Sequence, residues 1–345
     1  MKRFVLLTIL YSFPIITPLI IFGLCVAPHL HGDIGRLGYI TFPDKYGKHE
    51  LPIDNKVINC GYNYSNLKDS CIFVIGDSFS QTNKTDISYL YFLAKNIDYK
   101  VINLHQQWGI NPFARFIYMS KTKRMPKIVI VESVERDIIE RLCNINMSLS
   151  PNEMVHFKII DTVAQFVPSS KSILENAQEW SKRKLHLKGY ENPIKSSTLS
   201  TNYFSCSGKE NQLYFYENDI KNVSYPDSLM QLALMKLDNL FLYADSIGVD
   251  LYVLIAADKY DVYQYDIVEN IYPQKKVLEQ LTAIYNHPNL INSKDTLSKL
   301  LDNHVQDVYW CNDTHWGVVG CEAVAVQIEN RINAHQKKNI FKVDK

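Results

Sequence analysis

Three residue types in two short segments can carry nucleophilic chemistry. The first segment, Cys71-Ile72-Phe73-Val74-Ile75-Gly76-Asp77-Ser78-Phe79-Ser80, ends an apolar run in a small residue, an acid and a hydroxyl. The second, Trp310-Cys311-Asn312-Asp313-Thr314-His315-Trp316-Gly317, sets Asp313 and His315 two positions apart, so that in extended chain both side chains face one pocket. A serine hydroxyl is a poor nucleophile at neutral pH and needs a base, which works best when a carboxylate fixes its tautomer. Ser78, His315 and Asp313 match those three roles. Each segment alone has a plainer reading, Asp77 and Ser78 as a helix cap and Asp-x-His as a surface turn. Their pairing in one chain favours the catalytic reading.

The elements that must position them follow from hydrophobic patterning. Four apolar residues without alternation before Gly76 predict a strand covered on both faces, as parallel strands of α/β proteins are. Ile87, Leu90, Tyr91, Ala94 and Ile97 then recur at helical spacing. A strand, a tight turn and a helix put Ser78 at the carboxyl end of a sheet, where open α/β sheets build their sites beside helix N-terminal amides. Residues 101–104, 128–131 and 251–255 are further buried-strand runs, with a weaker one at 39–42. Helical spacing resumes from residue 113, over 228–246 with Gly248 closing that helix, from about 273, and over 318–332.

Groups at the other strand ends can line the same pocket. The Gly109 amide, with no side chain beside it, is placed to join that of Ser78 in holding an oxyanion, each such donor being worth ~3 kcal/mol; a plain loop glycine before Asn111-Pro112 is the equal alternative. His105 competes as the base, with a structural role favoured for it. Glu132 and Glu135 are spaced to share a helical turn, holding Arg136 or positioning an acceptor, with structural ion pairs as the default for each. Lys259 and Tyr260 leave the strand at 251–255 and can face the pocket, or Lys259 can pair with Asp258 or Asp261. Trp316 completes the set of substrate contacts.

The chain is long enough for one large α/β domain with insertions or two small ones. A formal net charge of +1 and no long basic run argue against a nucleic-acid partner. Lys2 and Arg3 precede an uncharged apolar stretch over residues 4–27, long enough to cross a bilayer, which takes ~20 residues. The basic flank leaves residues 1–3 in the cytoplasm and the body outside. The reading is an uncleaved signal anchor, because Pro28 follows the one plausible cleavage residue, Ala27; a cleaved signal is the second choice. Residues 28–70 form a polar lead-in, 71–335 the domain, about 143–227 an inserted lid or subdomain with a basic cluster at 180–188, and 336–345 a tail. Of seven cysteines, six lie outside the anchor in a compartment that permits disulfides, with pairing left open. No Cys or His spacing marks a metal site, and nothing calls for a cofactor.

The Gly76-Asp77-Ser78-Phe79-Ser80 and Asp313-Thr314-His315-Trp316 motifs resemble the SGNH hydrolase superfamily, and within it the alginate O-acetyltransferase-like branch. Glu132-Ser133-Val134-Glu135-Arg136, and Asp258-Lys259-Tyr260 with Tyr263, are similar to that branch too. The resemblance implies a three-layer flavodoxin-like α/β fold with a parallel sheet, a Ser-His-Asp triad, and extracytoplasmic transfer of acetyl groups to polysaccharide hydroxyls. It implies a donor supplied by a separate multi-spanning membrane acyltransferase, and a single-pass protein of the bacterial inner membrane with its domain in the periplasm. Here the Asp-x-His motif follows the serine, as in ordinary SGNH esterases, whereas in the alginate enzymes it precedes it. Glu132 stands where many of those esterases keep an oxyanion-hole Asn. A glycan esterase and a non-catalytic assembly factor are the alternatives to transfer.

Overall fold

Strands with apolar residues on every position bury both faces, and that requires helices above and below. The computed structural model describes residues 11–14, 16–18, 32–38, 40–43, 46, 57–59, 71–80, 88–105, 110–149, 157 and 192–343. In it β1 (Val57–Asn59), β2 (Cys71–Gly76), β3 (Lys100–His105), β4 (Ile128–Val134), β7 (Asp250–Ala256) and β8 (Leu290–Asn292) form one sheet in the order β1-β3-β2-β4-β7-β8. Every pairing is parallel. Leaving the short edge strand β1 aside, five strands run 2-1-3-4-5, an order compatible with a flavodoxin-like fold. A separate antiparallel hairpin, β5 (Ile194–Thr198) with β6 (Gln212–Tyr216), lies in the predicted insertion.

Reversal of winding after β3 sends successive right-handed crossovers to opposite faces. Helix α2 (Tyr89–Asn96) packs with the long C-terminal α9 (Val318–Val343), and α9 also meets α8 (Lys294–Asp302). On the other face α3 (Pro112–Thr122) meets α5 (Asp227–Ser246) through Phe116 and Tyr243, and α5 packs on α4 (Glu135–Cys143). The core between them takes in Ile72, Val74, Val101, Ile130 and Val253, all fully buried. Topology therefore opens a crevice beyond the carboxyl ends of β2 and β4, where the chain turns in opposite directions.

The four main predicted strands are present, each a residue or more longer than its apolar run. The expected strand at 39–42 is not: residues 40–43 have no regular pairing, and the lead-in instead supplies the short helix α1 (Asp33–Gly38). The helix after β2 begins at Tyr89 with Ser88 as its cap, so Asp77 and Ser78 are not capping residues. The last helix continues through the expected tail to Val343. No helix among the described residues is long and apolar enough to cross a membrane. Most of the proposed anchor at 4–27, and the basic cluster at 180–188, lie outside the described residues.

Candidate active site

The serine turn is built by close approach. Gly76 ends β2 where an added Cβ would lie 2.3 Å from Ser80 Oγ and 2.6 Å from Glu132 Oε2. A 3-10 turn over Ser78–Ser80 follows. Glu132 Oε2 accepts from the Asp77 amide at 2.6 Å and from Ser80 Oγ at 2.9 Å, and Ser80 Oγ also meets the Tyr89 hydroxyl at 2.9 Å. Asn103 Nδ2 donates to the Ser80 carbonyl at 2.7 Å. Asp77 points back into the scaffold, where it accepts from the Val134 amide and pairs with Arg141. Asp77 and Ser80, on either side of Ser78, are thereby anchored, while Ser78 is partly exposed at the end of the sheet.

Burial, then the nearby Asp77 charge, pushes the Glu132 carboxyl up to about 8. Glu132 is still on β4, so it does not share a helical turn with Glu135 as the spacing suggested. It braces the serine turn from below.

The second half of the site is a tight excursion between Tyr309 and Trp316, which form an antiparallel bridge. His315 Nδ1 lies 2.5 Å from Asp313 Oδ1, and the same oxygen accepts the His315 amide at 3.0 Å. Asp313 Oδ2 accepts from the Asp33 amide at 3.1 Å, and the Asp33 carboxylate stands 3.5 Å from His315 Nδ1. Gly32, at φ 75°, permits this docking: a Cβ there would lie 2.1 Å from the Asn312 carbonyl oxygen. Burial works against a charged imidazole, but Asp313 and Asp33 outweigh it and lift His315 to about 9. Burial likewise opposes a charged Asp313, and the imidazolium with its hydrogen bonds brings that carboxyl down to about 2.

The Phe79 ring packs on His315, with centroids 4.8 Å apart, and on Trp316 at 4.6 Å. The residue after the proposed nucleophile thus touches the proposed base. His315 Nε2, the nitrogen facing away from Asp313, has no hydrogen-bond partner among the described residues, so the Ser78 to His315 hydrogen bond is not made here. Gly109 lies outside the described residues, as does the side chain of His105.

Of the six residues expected to touch substrate, five are buried in the scaffold: Glu132, Glu135, Lys259, Tyr260 and Trp316. Lys259 Nζ donates to the carbonyls of Trp310, Asp313 and Cys311 at 2.6, 3.0 and 3.2 Å, so it clamps the acid-base loop from within. Its burial lowers the ammonium to about 8. Tyr260 donates to the Pro273 carbonyl. Glu135 accepts the Asp258 amide and pairs with Lys275. Arg136 keeps part of its side chain at the surface while pairing with Asp258 and Asp219.

Sequence reasoning missed Asp33 and also Tyr46, whose hydroxyl donates to Asp307 and accepts the Cys311 amide. Asp33, Asp313 and His315 also have the spacing of a three-ligand cation site. No protein-family model, curated protein or solved structure matches the chain.

Proposed function

We propose that the chain is a membrane-anchored acyltransferase of the SGNH type that moves an acyl group, acetyl by preference, onto hydroxyls of a cell-surface or secreted polysaccharide. The observation that carries this reading is the His315-Asp313 pair packed against the turn that presents Ser78, with Nε2 unengaged. In the proposed cycle, neutral His315 takes the Ser78 proton at Nε2 as Oγ attacks the acyl carbonyl. The amides of Ser78 and Gly109 hold the oxyanion, and the imidazolium returns the proton to the departing donor group. A sugar hydroxyl then attacks the acyl-serine, giving its proton to His315, and collapse restores Ser78. The acyl donor is supplied by the separate multi-spanning membrane acyltransferase that the resemblance implies.

Hydrolysis is the second reading, favoured by the order of the motifs, since Ser78 precedes Asp313 and His315 as in SGNH esterases. Purified protein incubated with an aryl acetate, with and without a glycan acceptor, distinguishes the two. Transfer predicts acetylated glycan and little free acetate, and an esterase releases acetate without acceptor. Ser78→Ala is expected to lower either activity by at least about 10³-fold and to abolish the acyl-serine adduct in intact-protein mass spectra. Unchanged glycan acetylation in cells carrying Ser78→Ala at normal protein level would point instead to an assembly factor.

A further inference from the structure

The acid-base loop is gripped from two sides. Lys259 holds it from within, and the lead-in runs along its outside over residues 310–313. The amides of Ile34 and Gly35 donate to the Asn312 carbonyl at 3.1 and 3.3 Å, and the Asp33 amide reaches Asp313 Oδ2 at 3.1 Å. Tyr46 makes the last of these contacts. Its hydroxyl accepts the Cys311 amide at 3.0 Å, and its ring stands edge-on to that of Trp310, with centroids 5.7 Å apart. Trp310 in turn closes the loop: its amide donates to the His315 carbonyl at 3.2 Å, and its carbonyl accepts the Asp313 amide at 3.3 Å. The backbone of both Asp313 and His315 therefore rests on a residue that Tyr46 touches.

Tyr46 is itself aimed from the other side. Its hydroxyl donates to Asp307 Oδ1 at 2.7 Å, and the same oxygen accepts the Ser205 amide at 3.0 Å. The Ser205 hydroxyl donates to Asp307 Oδ2 at 2.5 Å, and the Asp307 amide to the Tyr203 carbonyl at 2.9 Å. Asp307 is thus fixed by the inserted segment, at φ 56°, a left-handed conformation that Asp and Asn adopt more readily than most side chains. Burial, then the Asp307 charge, keeps the Tyr46 phenol far above its usual range, so it stays a neutral donor at any pH suited to an assay. We propose that Tyr46 is a positioning residue for the acid-base loop: tied to Asp307, it fixes the Trp310-Cys311 peptide and so aims the His315 imidazole at the Ser78 hydroxyl. A loop free to drift keeps the fold but loses that aim, and misplacement by about 1 Å can cost about 10²-fold in rate. The role rests on the Ser-His-Asp reading of the site.

The test uses the full chain and Tyr46→Phe, which loses the hydroxyl alone. kcat for an aryl acetate is expected to fall about tenfold or more with KM within about twofold of wild type, because Tyr46 orients the base without touching substrate. Asp307→Asn keeps an acceptor oxygen for the phenol and is expected to retain most of kcat; a fall equal to that of Tyr46→Phe would overturn the route through Asp307. A second readout needs no turnover. The proton shared by His315 Nδ1 and Asp313, identified by its loss in His315→Gln, is expected as a sharp downfield 1H resonance that broadens by exchange in Tyr46→Phe. Wild-type kcat in folded Tyr46→Phe, or a lowered Tm with kcat and the resonance both unchanged, overturns the proposal. If Tyr46→Phe does not fold, hydrogen exchange on the wild type decides: residues 33–38 and 310–313 are expected to be protected alike, and a lead-in that exchanges freely beside a protected loop overturns it. A wild type that turns over no ester while the resonance still broadens in Tyr46→Phe would sink acyl transfer and uphold the hold of Tyr46 on the loop.

Discussion

His315 sits between two carboxylates, Asp313 at 2.5 Å and Asp33 at 3.5 Å, and that placement fixes how the proposed chemistry responds to pH. With the imidazole lifted to about 9, the unprotonated form that can accept the Ser78 proton is a minority at neutral pH. kcat/KM for an aryl ester is therefore expected to rise about tenfold per pH unit through neutrality and to level off near pH 9. Asp33→Asn removes one of the charges that hold the proton, so the rising limb moves to lower pH and activity at pH 7 increases. A midpoint unmoved in Asp33→Asn would remove Asp33 from this role. The same shifts act on stability. His315 is raised in the folded state, so its contribution is complete below about 6.5 and is lost as pH climbs through about 9. Asp313 is depressed, so its share is present above about 3.8 and lost as pH falls through about 2. Ser78, Asp313 and His315 were legible because strand-end position and i, i+2 spacing are local signals. Asp33 was not, because it meets Asp313 from 280 positions away, out of a stretch whose polarity reads only as lead-in.

The strand-turn element of β2 depends on one missing methyl group. In Gly76→Ala the new Cβ would press on Ser80 Oγ and Glu132 Oε2, and Glu132 cannot retreat without releasing the Asp77 amide and Ser80 together. The expected cost is about 1–3 kcal/mol in urea denaturation, with a larger fall in activity because Ser78 rides on the displaced turn. Wild-type stability and activity in this variant would contradict the account. On the loop side, Lys259→Met strips three carbonyls of their donor, and kcat is expected to fall more than KM rises, since Lys259 orients the base without touching substrate. Wild-type kcat in folded Lys259→Met would show that the clamp is dispensable. Strands β2, β3, β4 and β7 were readable because burial on both faces leaves continuous apolar runs. The three-residue strands β1 and β8 carry too few residues for any period to show. In β5 the exposed residues, Ser196 and Thr198, alternate with the half-buried Lys195 and Ser197, and this polar run made a strand look like a turn. Lys259 shows the limit of reading by type: a lysine at a strand end suggests a pocket wall, and only tertiary packing reveals three carbonyls converging on it.

Across the whole molecule, the doubly wound order sets the carboxyl end of β4 beside that of β7 and so gathers acids that the sequence keeps far apart. Glu135 and Asp258 are buried there together with Asp219, and such a group stands only if cations balance it. Lys275, itself fully buried, pairs with Glu135 and Asp258, while Arg136 spans Asp258 and Asp219. Even so balanced, burial and the neighbouring Asp258 hold Asp219 up to about 7. Removing one cation should expose the cost of the arrangement. Lys275→Met leaves Glu135 and Asp258 without their ammonium, at an expected cost of about 3–5 kcal/mol. The sign with pH follows from linkage. Carboxyls whose folded pKa is raised above the unfolded value bind protons more tightly in the native state, so the variant loses stability as pH rises from the unfolded value through the folded one. Denaturant titrations at pH 5 and pH 8 should therefore show the Lys275→Met deficit growing toward pH 8, at an unchanged m-value. A deficit equal at both pH values would mean that Lys275 acts by packing alone and that the acids at the two strand ends are balanced without it.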